Sequence, residues 1–246
     1  MPLADENIER LEEYMRAFNQ PVSTIKLDQG SYANTGFTQW GASGLAVAWA
    51  EENTRDSIFK AFKRKETFAT TGTRIAVRFF AGYDLSSIDL NSETLVSDAY
   101  DKGVSMCADL LQEEIKIPEF IVWAQRDKNG AALQRVQIVK GWIDMGSGTP
   151  YEKVFDVACS DGMNVDPETN RCPDNGAKVN INDCSITRNV GSAELKASWI
   201  DPEFDNETKS FYYARVLENP TCRWSTWDAI NRGFKPREDL HDTIQE

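Results

Sequence analysis

The chain holds a single histidine, His241, close to its last residue. Binuclear and trinuclear metallohydrolase centres, Ser-His-Asp triads and Cys-His pairs all need imidazole at defined places, and one histidine near the end serves few of them. It reads as an exposed side chain. Base is scarce as well: 27 Lys and Arg stand against 39 Asp and Glu, giving a net charge of −12 and a pI near 4.7. A nucleic-acid or anionic-lipid surface needs a basic patch, so neither partner is expected. No apolar run approaches the roughly 20 residues of a membrane helix, and no span is expected. No pair of cysteines has C-x-x-C spacing, which argues against a zinc ribbon or a thioredoxin-type redox pair. The start, MPLADENIERLEEYMRAF, has neither a basic n-region nor an apolar h-region.

What the chain does have is enough apolar content to fold. Its 246 residues are 41% hydrophobic and 11% aromatic, sufficient for one large or two small domains. Four of the five cysteines, Cys159, Cys172, Cys184 and Cys222, fall in late loops rich in Asp, Asn, Pro and Gly. They read as disulfides, hence as a mark of an oxidising compartment. Four cysteines allow three pairings, among which the sequence does not choose. The pairing adopted here joins Cys172 to Cys184 and Cys159 to Cys222, leaving Cys107 as a small buried thiol. Disulfides without a leader conflict, and the simplest resolution places the natural start and an export signal upstream of residue 1.

Ile8 to Phe18 carries Ile8, Leu11, Met15 and Phe18 on one helical stripe, and Asn19 to Ser43 lacks a sustained period, as a long loop or arm would. Gly44 to Ala50 is continuously apolar, like a strand buried on both faces. Asn53 or Thr54 can cap a following helix, with Asp56 in its first turn, a stripe of Ile58, Phe59 and Phe62, and basic residues at its end. A strand, a helix and a further strand make one βα unit, which cannot bury both strand faces alone. After Arg74 period two dominates: Ile75, Val77 and Phe79; Phe155, Val157 and Cys159; Leu195, Ala197 and Trp199; Tyr212, Ala214 and Val216. Phe120 to Ala124 and Arg135 to Trp142 add strands, with DKNG at Asp127 to Gly130 as the turn between them. Ala99 to Glu114 reads as a helix or loop inserted after the first of these strands. The fold class is therefore α+β: an arm over 1–40, the terminal βα unit of an incomplete α/β domain over 41–73, and a β-rich domain over 74–246, an antiparallel sandwich stapled by disulfides.

Candidate functional groups are few. Glu51, Glu52, Asn53 and Arg55 follow the buried strand, at the edge where α/β folds place their sites; capping and local ion pairing explain them as well. Thr70, Thr71, Gly72, Thr73 and Arg74 can hold an anion with hydroxyls, backbone N–H and a guanidinium, or simply turn the chain. Asp161, Asn164, Asp166, Glu168, Asp174 and Asn175 crowd hard oxygens around two cysteines; calcium suits them, although the spacing is not that of an EF-hand and a stapled turn without metal is favoured. Trp199, Tyr212, Tyr213, Trp224 and Trp227 can stack on a sugar or pack a core.

The stretches WGASGLAVAWAEENTRDSIFKAFKRKETFATTGTRIAVRFFAGY, LQRVQIVKGW, FDVACSDG, RCPDNGA and FYYARVLENPTCRWSTWDA resemble the C-terminal half of the bacterial exported family DUF 3604 from about Trp40 onward. The N-terminal half of that family resembles PHP-superfamily metal-dependent phosphoesterases. The resemblance implies a periplasmic or secreted protein, a small ester substrate, and a divalent metal whose His and Asp ligands lie upstream, so that this chain alone is inactive. Lys65 to Gly72 then belongs to the last βα unit of a PHP-like barrel, with Glu51, Glu52, Arg55 and Arg74 at most supporting the chemistry. It also implies that the family's text runs on past TIQE, so the chain is cut at both ends. The alternatives from other classes are a β-sandwich module binding glycan or calcium, and a scaffold without a ligand.

Overall fold

The computed structural model describes residues 24–27 and 30–33 as backbone, and residues 40–111 and 116–246 in full. The Ile8 to Phe18 helix expectation lies outside the described residues. In chain order the elements are β1 (Thr24–Leu27), β2 (Gly30–Ala33), β3 (Leu45–Ala48), α1 (Arg55–Lys63), β4 (Thr67–Thr70) and β5 (Ala76–Gly82). Next come α2 (Leu95–Lys102), β6 (Gly103–Ser105), β7 (Glu119–Gln125), β8 (Leu133–Ile143) and β9 (Pro150–Cys159). The remainder is β10 (Val179–Asn180), β11 (Ser185–Ile186), β12 (Glu194–Ile200), β13 (Ser210–Glu218), β14 (Thr221–Cys222), α3 (Trp224–Asn231) and β15 (Thr243–Ile244). The result is a mixed α/β chain whose sheets are antiparallel.

Two compact units emerge, and they interleave along the sequence. The larger takes Gly44–Ala177, Arg188–Asn219 and Glu246; the smaller takes the described residues up to 43 with Lys178–Thr187 and Pro220–Gln245. In the larger unit β5 and β7 pair centrally in a four-stranded sheet of order β12-β7-β5-β6, and β8 is the middle strand of β13-β8-β9. The facing residues of these sheets share one core. Phe79, Phe120, Val122, Ala124, Leu195 and Ala197 come from the first sheet, and Val136 and Ile138 from the second, with Tyr212 and Ala214 packed alongside. Phe79, Leu195, Ala197, Tyr212 and Ala214 belong to the period-two sets read from the sequence, because each strand presents every second side chain to the same face. In β9 a bulge at Val157 interrupts the expected alternation of Phe155, Val157 and Cys159. The other face of β5 and β7 buries Phe80 and Ile121 against Leu95 and Ala99 of α2. That second layer explains why β7 is apolar almost throughout.

The smaller unit is built from short pairs: β1 with β2, β10 with β11, and β14 with β15. Residues 19–43 therefore contain two strands where a loop was expected. Here α3 presents Trp224, whose Nε1 donates to the Trp40 carbonyl at 2.9 Å, and Arg223 reaches the same carbonyl at 2.5 Å.

Several local expectations need correction. Cys159 pairs with Cys172 and Cys184 with Cys222, reversing the adopted pairing. The loop after β9 folds straight back, the Asp156 N–H donating to the Asn170 carbonyl at 3.0 Å and the Cys172 N–H to Asp156 Oδ2 at 2.7 Å. Cys172 is thereby held beside the end of β9, while Cys184 and Cys222 both belong to the smaller unit. Cys107 is exposed and free, not buried. The apolar run after Gly44 gives a strand that is exposed at Leu45 and Ala46 and half-buried at Val47 and Ala48, with β4 its one strand partner among the described residues. Of the helix stripe, Ile58 is half-buried while Phe59 and Phe62 are 59% and 56% exposed; Ala61 is the buried residue of α1. The cap is Thr54, whose Oγ1 accepts from the Ser57 N–H, and Asp56, Lys60 and Lys63 suit the helix dipole as expected. DKNG does turn, its Gly130 N–H donating to the Asp127 carbonyl at 3.0 Å, but β7 and β8 then part into different sheets.

Candidate functional site

Glu51, Glu52, Asn53 and Arg55 are exposed on the bend that leads into α1. The Glu52 N–H donates to Ser57 Oγ, so this edge is at least partly the helix start that capping requires. Below it, Glu66 is buried and joins the β3–α1–β4 layer to the four-stranded sheet. Its carboxylate accepts from Arg64 Nε at 3.2 Å, from the Tyr100 hydroxyl at 3.2 Å and from Ser105 Oγ at 3.4 Å. Burial, and then the Glu66 charge, raise the Tyr100 pKa. Arg78 lies 3.9 Å over the Trp49 ring, a cation–π contact that closes the same junction.

The Thr70 to Arg74 turn holds anions, and they are the chain's own. Thr71 Oγ1 donates to Glu246, Thr73 Oγ1 to Glu218 Oε2 at 3.1 Å, and the Arg74 N–H to Asp127 Oδ2 at 3.0 Å. The Glu218 side chain is fully buried, which pushes its pKa up to about 7; the charges of Glu246 and Asp127 push the same way and the Thr73 bond opposes. Hydroxyls and N–H groups expected to serve a ligand are thus occupied at this point.

In the disulfide-stapled loop acidic side chains bond to donors of the chain itself, Asp166 and Asp174 within their own turns and Asp161 across to Gly191. Both oxygens of Asp161 accept from the Gly191 N–H, and Asp166 takes the Glu168 N–H and Thr169 Oγ1, which lower its pKa. Asp174 accepts from the Gly176 N–H, and Glu168 is exposed. Asn175 links Ser160 and Asn219. Among the described residues no three His, Cys, Asp or Glu side chains stand together as a metal site would require.

Nor are the five aromatics one platform. Trp199 and Tyr212 pack on the core, centroids 6.4 Å apart, while Tyr213 points to the opposite face of β13 and stacks on Phe211. Trp224 and Trp227 are exposed on α3 of the smaller unit.

The feature that sequence reasoning missed is a cavity of about 690 Å³ in the larger unit. Its floor is Phe79 and Phe120, stacked at 5.6 Å, with the Tyr212 ring 4.6 Å from that of Phe120. The Tyr212 hydroxyl does not serve the cavity, because it donates to Asp201 Oδ2 at 2.7 Å. Lys140 Nζ reaches the same oxygen at 2.6 Å, and both partners of this ion pair are buried. Burial and then the Asp201 bond raise the Tyr212 pKa, so the floor offers an aromatic face and no acid. One signal of this was present in the sequence. Lys140 falls on the apolar face that alternation assigns to Val136, Ile138 and Trp142, and a lysine there needs a buried partner.

The model of the family described as "protein of unknown function (DUF3604)" matches residues 10–246, and the chain belongs to that family. No curated protein and no solved structure matches it.

Proposed function

We propose that, as a member of this family, the chain is the β-rich portion of an exported, PHP-like metal-dependent hydrolase acting on phosphate or related esters. In this reading the β3–α1–β4 layer abuts the metal-bearing part, and the two packed sheets form a sandwich beside it. The observation that supports it is the apolar exposure of that layer among the described residues. Leu45 at 42%, Phe59 at 59% and Phe62 at 56% exposure stand on consecutive elements, as they do where a surface continues into further protein. The antiparallel pairing of β3 and β4 supports a boundary element more than a repeating parallel βα unit.

The described residues do not fit a divalent metal, so no catalytic step is assigned to one here. In this reading Glu51, Glu52 and Arg55, exposed ahead of α1, support the chemistry at that edge together with the guanidinium of Arg74, whose backbone N–H is held by Asp127. The test is hydrolysis of bis(4-nitrophenyl) phosphate with added manganese or zinc, by this chain from an oxidising host and by the product of the reading frame extended upstream. Activity is expected from the extended protein alone. A chelator-sensitive rate from the shorter chain would refute the division of labour.

A second reading, a glycan-binding module, is favoured by one observation: Trp224 and Trp227, three residues apart on α3, are 38% and 45% exposed. Saturable binding on a glycan array that Trp224→Ala and Trp227→Ala abolish would support it; a blank array would end it.

A further inference from the structure

Two places in the larger unit carry the same short sequence in different surroundings. Asn129–Gly130–Ala131 lies in the DKNG turn after β7, and Asn175–Gly176–Ala177 follows Cys172. No other Asn–Gly pair occurs in the chain. Asparagine before glycine is open to attack on its side-chain carbonyl carbon by the next backbone nitrogen, because glycine has no Cβ to crowd the approach. The attack requires the side chain to leave its hydrogen bonds and turn toward that nitrogen. Asn175 is not free to turn. Its Nδ2 donates to Ser160 Oγ at 3.1 Å and to Asn219 Oδ1 at 2.8 Å, while its Oδ1 accepts from Gln134 Nε2 at 3.3 Å and from the Ala177 N–H at 3.1 Å. Asn129 is exposed, and its side-chain amide makes no hydrogen bond among the described residues. The glycine N–H groups do not separate the two places, since Gly130 donates to the Asp127 carbonyl at 3.0 Å and Gly176 to Asp174 Oδ1 at 2.9 Å.

We propose that Asn129 is a site of spontaneous deamidation in the folded protein, and that Asn175, followed by the same two residues, is protected by its hydrogen bonds. The Gly130 nitrogen bonds to Asn129 Cγ, its proton passes to solvent, and Nδ2 leaves as ammonia, which closes a cyclic imide. Water then opens the imide at either carbonyl. One break restores the main chain as aspartate, and the other leaves isoaspartate, with the Cβ methylene now part of the backbone. No electron donor or acceptor takes part. Either product adds a negative charge close to Asp127, whose carboxylate already accepts the Asn129 and Arg74 N–H groups at 2.9 and 3.0 Å. Isoaspartate also lengthens the turn where space is short: a Cβ on Gly130 would lie 3.0 Å from Glu218 Oε2 and 3.1 Å from Thr73 Cγ2. Moving Gly130 therefore disturbs the Thr73–Glu218 contact beneath the turn.

The test compares the two pairs within one chain. The intact oxidised protein is incubated in mildly alkaline buffer, digested at acidic pH, and the peptides holding each Asn–Gly pair are weighed by mass spectrometry. A reduced sample in urea is carried alongside. In urea both pairs are expected to convert at similar rates. In the folded chain Asn129 should convert at least about tenfold faster than Asn175, the ratio that breaking one or two hydrogen bonds sets. Asn129→Gln should abolish conversion at the turn and leave the thermal midpoint of the parent unchanged. The isoaspartate form, separated by chromatography, should melt below Asn129→Asp, which carries the charge without the longer backbone. Three outcomes overturn the proposal: equal conversion of the two pairs in the folded chain, conversion of Asn175 alone, or no conversion at Asn129 over a time in which the unfolded chain converts. An isoaspartate form as stable as Asn129→Asp would overturn the effect on Thr73 and Glu218.

Discussion

Burial of Glu218 beneath Thr73 sets its proton against the pH of the medium. Its folded pKa of about 7 exceeds the ordinary 4.5, so between those values the folded state binds more protons than the unfolded one. The stability linked to this group is fully present below pH 4.5 and is lost as pH rises through 7. Glu218→Gln, which stays neutral and still accepts from Thr73, should match the parent near pH 4.5 and melt several degrees higher above pH 8, as thermal unfolding across that range would show. A pH-independent difference would place the effect elsewhere. A second residue-scale prediction concerns Gly141 on β8, directly across from Phe211 on β13. A Cβ at Gly141 would come within 2.2 Å of the Phe211 ring, which therefore lies over the glycine as an aromatic cover. Gly141→Ala should cost about 1–3 kcal/mol in urea unfolding, as overpacking does. Adding Phe211→Ala should recover part of it, which is the coupling a double-mutant cycle measures.

At the scale of elements, α1 is held by its cap and by Ala61 more than by its phenylalanines. Phe59→Ser with Phe62→Ser should leave the unfolding free energy of this chain within about 0.5 kcal/mol of the parent in urea unfolding, since exposed positions rarely matter more. Any concentration-dependent self-association should fall. If the pair instead unfolds the chain, the exposed apolar side of the layer is part of its own core and the proposed boundary role fails. The helix and its polarity were legible because Thr54, Asp56, Lys60 and Lys63 act locally. The fate of its stripe was not, because an apolar stripe specifies that something covers it and never what. The same limit governs β3: a run of apolar residues reads alike whether two neighbours flank the strand or one.

For the molecule as a whole, alternation carried furthest. Ile75 to Phe79, Leu195 to Trp199 and Tyr212 to Val216 do face one core, since period two is fixed by the strand itself. Sheet order was beyond reach, and DKNG shows why. A turn fixes the direction of the chain over four residues, whereas the packing of Phe120 and Ile138 decides whether the next strand stays in the sheet. The cavity is lined from β5, β6, β7 and the start of β13, a gathering that no single stretch of sequence encodes. The disulfide pairs were misread for a related reason, as spacing says nothing about which loop returns to which strand. Mass mapping of the native chain should find Cys159–Cys172 and Cys184–Cys222, with one thiol, Cys107, titrating before denaturation. Any other linkage, or a second native thiol, would contradict the fold. The interleaved units bear on how the chain is made. A ribosome delivers residues in order, so the larger unit waits for Glu246 and the smaller for Gln245 before either is complete. Cys172 emerges 13 residues after its partner and can be oxidised early, whereas Cys184 waits 38 residues for Cys222. During that interval Cys107 is a competing thiol of the same chain, and a disulfide between it and Cys184 would have to be undone by thiol–disulfide exchange before Cys222 could pair.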